Sequence, residues 1–348
     1  MCRLAPGIAA IALAWAGAAG AVETKGALYG DLRISFDGTD DASAAEGPTY
    51  TVTDNNSVWG VKASTVKGGV TVFGGYERYI SDDEPVIPGF PVELTRESYL
   101  GLASFCGTVK LGRHATAYAS AGRKLDPFYN TTASGAGGLA GSGSIFGGGN
   151  SHGTSTAFNG DAFGEAYVAN HLSYQSPVYA GFTGNAAFFV HETGDADQDH
   201  DYGIGIEYAD SGSTVGAQYL DANGANGATW GIDVEATRLY SSYAQERYGV
   251  SASLEMVDLT AGADDATYWM VAGWYGLRED TRIVASLGSE SGTPTEGDSV
   301  RVGVFHDVLD AFTVWAAARS FSGKAGALPD SAVFTLGASY KFSLGFGM

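Results

Sequence analysis

The sequence is poor in cysteine, in positive charge and in long apolar runs. Its 348 residues include 2 cysteines, and 19 lysines and arginines face 39 aspartates and glutamates, for a formal net charge of −20. A polyanion of this size repels nucleic-acid phosphate, so we expect no nucleic-acid partner. Beyond the N-terminus, the longest apolar run extends from Ala311 to Ala318 and is interrupted by Thr313. Because that run is far too short for a transmembrane helix, any membrane passage has to be made by strands.

The N-terminus has the pattern of an export signal. Arg3 precedes the uncharged stretch 4–22, which ends in small residues at positions 19–21, the spacing that a signal peptidase reads. We predict that residues 1–21 are a cleaved signal peptide and that 22–348 form the mature chain; a membrane-spanning helix is the alternative. After cleavage Cys106 is the only cysteine left, so the mature chain cannot form an internal disulfide.

The rest of the chain alternates between apolar and polar residues. Leu32 and Phe36 share one parity while Asp31 and Arg33 share the other, which is typical of a strand with one apolar and one polar face. Sixteen such segments can be counted, the first near 28–36 and the last near 332–342. Short turns alternate with longer polar connections, an asymmetry typical of a transmembrane barrel. We therefore predict an all-β fold, a 16-stranded antiparallel transmembrane β-barrel, over a secreted β-sandwich.

Several segments resemble the general diffusion porins of Gram-negative outer membranes. The chain begins its first strand with GALYGDLRISFDG, and NNSVWGVKAS, GGVTVFGGYE and RESYLGLASFCGTVKLGRH follow in that family's order. ANHLSYQSPVYAGF is similar to the segment after the family's long third loop. The resemblance implies an outer-membrane barrel of about 16 strands, usually a homotrimer, whose third extracellular loop folds inward. It also implies passive diffusion of small hydrophilic solutes and ions through a water-filled pore.

Two departures from the family pattern bear on function. Val58 follows Ser57 where members commonly carry an arginine, although Lys62 keeps a basic position further along. The family normally ends on an aromatic residue, whereas here Phe342 is followed by SLGFGM with its alternation intact. These departures weaken the expectation of anion selectivity, and the second predicts a longer last strand.

The connection 115–166 is the predicted constriction. A loop of this length without secondary structure of its own is usually functional, and its many glycines allow it to fold tightly against a barrel wall. A disordered surface insertion is the alternative. The charged residues near its two ends are Arg123, Lys124, Asp126, Asp161 and Glu165.

Strand parity predicts which charged side chains face the water of the lumen. The inward basic residues are Arg33, Lys62, Lys110, Arg301, Arg319 and Lys341, the acidic ones are Asp31, Glu77, Glu207, Asp233, Glu235 and Glu255, and His171 also faces inward. The two signs balance on the wall, so the additional carboxylate of the long loop tips the expectation to a weak cation preference. Basic residues gather on the first and last strands and acids on strands eight to eleven, which predicts a transverse field.

Other motifs carry little chemistry. GNSHG at 149–153 matches the GxSxG of serine hydrolases, but it lies in a glycine tract without the strand and helix that the motif needs. Asp195, Asp197 and Asp199 are similar to the start of a calcium loop and lack its later ligands, so a loosely bound divalent cation is the most they indicate. We expect no enzyme activity and no cofactor; a lipase-like barrel enzyme and a surface adhesin are the alternatives to a diffusion pore.

Overall fold

A computed structural model describes residues 23–41, 47–80, 95–134, 167–190, 201–221, 234–259, 265–292, 296–323 and 330–347. The predicted signal peptide, residues 135–166 of the long loop with the GNSHG motif, and the aspartates at 195–199 lie outside the described residues. Within the described ranges, no helix is long and apolar enough to cross a bilayer.

Strands make up most of the described chain. They are β1 (Glu23–Asp41), β2 (Thr49–Asp54), β3 (Val58–Lys67), β4 (Val70–Tyr79), β5 (Thr95–Ser104), β6 (Gly107–Ala115), β7 (Tyr167–Gln175), β8 (Phe182–Phe189), β9 (Asp201–Asp210), β10 (Ser213–Asp221), β11 (Val234–Ala244), β12 (Tyr248–Leu259), β13 (Ala266–Gly276), β14 (Thr281–Ser291), β15 (Gly297–Leu309), β16 (Phe312–Gly323) and β17 (Ser331–Gly347). Helix α1 (Ala117–Leu125) and a 3₁₀ turn (Thr132–Ser134) lie between β6 and β7.

The strands pair into one antiparallel sheet that closes on itself. From β3 onward each strand pairs with the next, and β17 pairs with β1 from Lys25 opposite Gly347 to Asp41 opposite Ser331. Both β2 and β3 pair with β1 and are separated only by residues 55–57, so they form one interrupted strand. The result is a closed barrel of 16 strands, as the alternation predicted. Closure lets neighbouring strands satisfy each other's backbone groups, which a bilayer requires.

Two strand boundaries differ from the alternation in the sequence, which predicts a loop at 38–54 and a strand at 229–240. The second strand begins at Thr49, within the stretch that we assigned to a loop, because β1 is long enough to pair with it. Strand β11 is shifted towards the C-terminus and ends at Ala244. The longer last strand is confirmed: β17 runs to Gly347, and the tail beyond Phe342 is paired with the N-terminal half of β1.

Short turns and long connections lie at opposite ends of the barrel. The β3–β4 turn contains only Gly68 and Gly69, whose φ values of 57° and 79° are adopted by glycine without strain. At the other end, the connection between β6 and β7 holds α1 and the 3₁₀ turn. The loop that we expected to narrow the pore therefore starts at the end with the long connections.

Side chains alternate between the two faces of the wall. On β15, Val300, Val302 and Val304 are exposed on the outer face, whereas Arg301 and Phe305 are buried inside. The outer face is thus an apolar band of the kind that lipid requires, and polar side chains are turned to the interior.

Candidate functional site

The beginning of the long loop lies inside the barrel. We call residues 116–134 the inner segment. It starts where the Thr116 hydroxyl caps α1 by accepting a hydrogen bond from the backbone N–H of Ala119 at 3.1 Å. Helix α1 contacts β8, β9, β10 and β12, and the 3₁₀ turn contacts β16 and β17. The described part of the loop therefore follows the inner wall from β8 to β17.

A buried ion pair holds α1 to the wall. Arg238 Nη2 on β11 lies 3.1 Å from Glu255 Oε2 on β12, and both side chains are almost fully buried. Arg238 Nη1 donates to the carbonyl of Tyr118 at 2.6 Å, and the Tyr118 hydroxyl donates to Glu255. The hydroxyl of Ser251 donates to the carbonyl of Leu125 at 2.7 Å. Because every charge is paired and hydrogen-bonded, the helix can sit on this wall without an isolated buried ion.

A second buried ion pair holds the residue that follows α1. Arg301 Nη1 on β15 lies 3.1 Å from Asp126 Oδ2, and neither side chain has exposed surface. The same Nη1 atom donates to the carbonyl of Ser134 at 3.0 Å. Asp126 Oδ1 in turn accepts the backbone N–H of Phe128 at 3.0 Å, which fixes the turn after the helix. One guanidinium thus holds both ends of the stretch from Asp126 to Ser134.

An apolar core lies between the inner segment and the wall. Phe128 and Ala133 are fully buried against side chains of β14, β15 and β16, and the rings of Phe128 and Phe305 are 6.1 Å apart. Burial of a phenylalanine side chain contributes about 1.5–3 kcal/mol. The full set of core residues is Phe128, Ala133, Val284, Phe305, Trp315 and Ala317. Because this core is entirely apolar, the inner segment packs against β14–β16 as a fixed part of the wall.

Two arginines are held among tyrosines where the long loop leaves and rejoins the barrel. Arg123 Nη1 donates to the Tyr167 hydroxyl at 2.6 Å, and its guanidinium lies 4.3 Å from that ring. The Arg96 guanidinium lies 4.7 Å from the centre of the same Tyr167 ring. Arg96 also forms an ion pair with Glu77 at 3.1 Å. Arg123 and Glu77 therefore contribute to packing as well as to the charge of the lumen.

The inner segment leaves part of the wall uncovered, although α1 contacts β8, β9 and β10 and Thr132 donates a hydrogen bond to Asp37 on β1. Lys62 on β3 and Lys341 on β17 are exposed on this uncovered part, and Lys124 is exposed on α1. Lys110 is half-buried, with its Nζ 5.0 Å from the centre of the Tyr99 ring. Asp31 and Arg33 lie on the same face of β1 and form an ion pair at 2.7 Å. Most of the basic residues predicted for the lumen are therefore on the uncovered side.

Five predicted lumen residues are withdrawn from the water, and the first of them is Glu255 in its ion pair with Arg238. Asp126 and Arg301 pair with each other under the inner segment, because a long loop brings its own carboxylate to the wall. Arg319, directly opposite Arg301 on β16, is only 7 % exposed. His171 is fully buried and stacked on His114 with 3.9 Å between ring centres. These placements correct the expectation that every inward charge lines the channel.

On β11 the parity prediction is wrong. Arg238 and Tyr240 face inward and are buried, so Glu235 has the opposite, outward parity, where it accepts a hydrogen bond from Tyr219 at 3.0 Å. The strand carries polar residues on both faces near its loop end, and the outward carboxylate is satisfied by the Tyr219 hydroxyl. Sequence reasoning consequently missed Arg238, which the shared parity with Ala236 and Tyr240 would have indicated. Arg96, Glu97 and Glu290 were missed as well.

Three of the predicted acidic residues, Asp161, Glu165 and Asp233, lie outside the described residues. Among the residues that are described, no group of three or more histidine, cysteine or carboxylate side chains is placed to hold a metal ion. The candidate divalent site at Asp195, Asp197 and Asp199 falls in a stretch that is not described.

A closed barrel with an apolar outer face and an internal segment defines a β-barrel protein of the outer membrane. The chain belongs to the Gram-negative porin family, whose sequence model matches residues 7–345. No curated protein matches it by sequence.

Solved structures share the fold at low sequence identity. The anion-selective porin from Comamonas acidovorans is 16% identical with a TM-score of 0.74, over 92% of this chain and 100% of that one. OmpT, an outer membrane protein of Vibrio cholerae, is 17% identical with a TM-score of 0.64, over 94% of this chain and 100% of that one. OmpF of Salmonella typhi, in complex with daunomycin, is 13% identical with a TM-score of 0.66, over 90% and 97% of the two chains. At these identities the likeness shows the fold alone.

Proposed function

We propose that the protein is a passive diffusion channel for small hydrophilic solutes and ions. The observation that carries the proposal is the position of the inner segment, which is held on the wall of β11–β16 by two buried ion pairs and an apolar core. It narrows the lumen while leaving the polar wall opposite uncovered. Solutes are then selected by size and by the charges of that wall.

Conductance tests the proposal directly. Purified protein inserted into planar lipid bilayers is expected to give stepwise ohmic currents in potassium chloride. Correctly folded protein that inserts and carries no current would overturn the proposal. The Ser151→Ala variant, which removes the nucleophile of the GNSHG motif, is expected to conduct like the unchanged protein.

The charges of the uncovered wall support a weak anion preference. Within the described residues, four lysines make no ion pair: Lys62, Lys110, Lys124 and Lys341. Two carboxylates of the lumen, Glu97 and Glu207, are likewise without an ion pair among these residues. The weak cation preference expected from the sequence assumed that the carboxylates of Asp126 and Glu255 face the water of the lumen. Both carboxylates are instead buried in ion pairs. The Comamonas neighbour, described as anion-selective, supports the same sign.

Reversal potentials across a potassium chloride gradient distinguish the two signs. We expect a small chloride preference at low ionic strength that fades as the Debye length falls below the pore radius. A cation preference at low salt would contradict this and would show that carboxylates outside the described residues dominate the pore.

We further propose that the channel assembles as a homotrimer. The support is family membership and the fold shared with OmpT of Vibrio cholerae in its trimer form, at a TM-score of 0.60 and 16% identity. The exposed apolar side chains Leu32, Ile34 and Phe36 give the outer face of β1 the apolar surface that such contacts use. Light scattering of detergent-solubilised protein is expected to give three chains per particle; a conducting monomer would overturn the trimer and leave the channel intact.

A further inference from the structure

A polar cavity lies between α1 and the uncovered wall. Its volume is about 190 Å³, which is roomy enough for several water molecules or one small solute. On the helix side it is lined by Ser120 and Lys124, and on the wall by side chains from β6 to β11 that include Lys110, Glu207 and Gln218. Leu125 of α1 packs with the apolar side chains of Met270 and Ala272, whereas Ser120 and Lys124 of the same helix line the cavity.

Two lysines line the cavity. Lys110 and Lys124 both line it, and neither ammonium group makes an ion pair with any described residue. The Nζ atom of Lys110 also lies 5.0 Å from the centre of the Tyr99 ring, a contact that favours the charged ammonium group. Two like charges in one small cavity repel each other, and an anionic group bound there relieves that repulsion.

The cavity also contains one carboxylate. Glu207 on β9 accepts a hydrogen bond from the Tyr240 hydroxyl at 2.8 Å, and it has no lysine or arginine partner in the described part of the chain. The hydrogen bond fixes the orientation of the carboxylate without neutralising its charge. The side-chain amides of Asn185 and Gln218 add both donors and acceptors to the same lining.

We propose that this cavity is a binding site for a small zwitterion, an α-amino acid with a polar side chain, on its way through the channel. The solute carboxylate lies near Lys110 and Lys124, and its ammonium group lies near Glu207. A simple cation in the cavity meets two lysines and a dicarboxylate meets Glu207, whereas a zwitterion places each charge against its opposite. The inference rests on the proposed function, because it requires an open channel.

Interruption of single-channel current by L-glutamine tests the site. We expect glutamine to reduce the current in a saturable way, with butyrate and butylamine, which carry one charge each, much weaker at the same concentration. The variants Lys124→Gln and Glu207→Gln each remove one charge and keep the side-chain size, and each is expected to raise the half-blocking glutamine concentration at least about threefold. Lys62→Gln removes a lumen charge outside the cavity and is expected to leave that concentration unchanged.

The possible results separate the site from the channel. Normal conductance without any effect of glutamine overturns the site and leaves the proposed function in place, whereas absence of conductance removes the proposed function itself. Block by butyrate as strong as by glutamine, sensitive to Lys124→Gln and insensitive to Glu207→Gln, would overturn the zwitterion and identify a site for anions. Equal loss of block in Lys62→Gln would show that general lumen charge, rather than this cavity, is responsible.

Discussion

Arg301 and Asp126 form an ion pair of 3.1 Å in which neither side chain touches solvent, and it joins the barrel wall to the loop inside the barrel. The two residues are 175 positions apart in the sequence. A buried guanidinium without a counter-charge is strongly unfavourable, so the pair fixes the inner segment at this level of the lumen. The position of the inner segment in the lumen thus depends on a contact that contributes no open charge to it.

Asp126→Asn is therefore expected to release the inner segment from β15. The change leaves the Arg301 guanidinium buried and unpaired, at a cost of about 3–5 kcal/mol. We expect higher and noisier single-channel conductance than in the unchanged protein. Glu23→Gln is the matched control, because it breaks the exposed pair with Lys25 and such pairs contribute little. Unchanged conductance in Asp126→Asn would show that the remaining contacts hold the segment alone.

Phe128→Ala tests the apolar core beneath the inner segment. The ring is fully buried against Phe305 and Trp315, and its removal leaves a cavity that costs about 3–5 kcal/mol. We expect faster proteolysis of the long loop in intact, folded barrels. Phe105→Ala removes a ring that is 88 % exposed in a short turn and is expected to leave the rate of proteolysis unchanged. Equal protease resistance of both variants would contradict a docking role for Phe128.

Tyr118 makes the contact between α1 and the barrel wall sensitive to alkaline pH. Burial, together with the Glu255 carboxylate, raises the pKa of Tyr118 well above its ordinary value of 10.0. A pKa raised by folding means that the contribution of Tyr118 is fully present below pH 10 and is lost as the pH rises above it. We expect conductance to rise above that pH in the unchanged protein and to rise less in Tyr118→Phe, which cannot ionise. An identical rise in both proteins would assign the effect to other tyrosines.

Thiol labelling distinguishes the two sides of the inner segment. In a Cys106→Ser background, a cysteine at position 124 replaces an exposed side chain, and one at position 134 replaces a fully buried one. A small, charged thiol reagent is expected to react with the Lys124→Cys variant and reduce its current, and to leave the Ser134→Cys variant unmodified. Rapid reaction at position 134 would mean that the segment detaches from the wall.

Gly112 tests the bulge that leads into the long loop. Its φ is 125°, and a Cβ atom at this position would clash with the carbonyl oxygen of Ser98. Gly112→Ala therefore combines backbone strain of about 1–3 kcal/mol with a clash against main chain, and we expect a lower yield of folded, heat-resistant barrel. Gly184→Ala is the control, since its nearest neighbour is 3.8 Å away. Equal yields would show that the bulge relaxes.

The strand architecture of this protein follows from the local alternation of apolar and polar residues. Alternation such as Leu32 and Phe36 against Asp31 and Arg33 assigns each strand two faces, because successive side chains in a strand point in opposite directions. The lipid and the water channel then assign the apolar and polar faces to outside and inside. This local rule, with the order of the family-like motifs, was enough for the 16 strands of the barrel.

The charges of the channel were decided by tertiary structure. The sequence places Arg301 on an inward face, but only the folded chain brings Asp126 against it and removes both from the water. On β11, polar residues on both faces made the parity ambiguous, and the contacts of Arg238 with Tyr118 and Glu255 resolve it. Strand alternation acts between adjacent residues, whereas ion pairing and burial act between residues brought together from distant parts of the chain. The sequence alone therefore specified which side chains turn inward for most strands, and the fold decided which of them meet the solute.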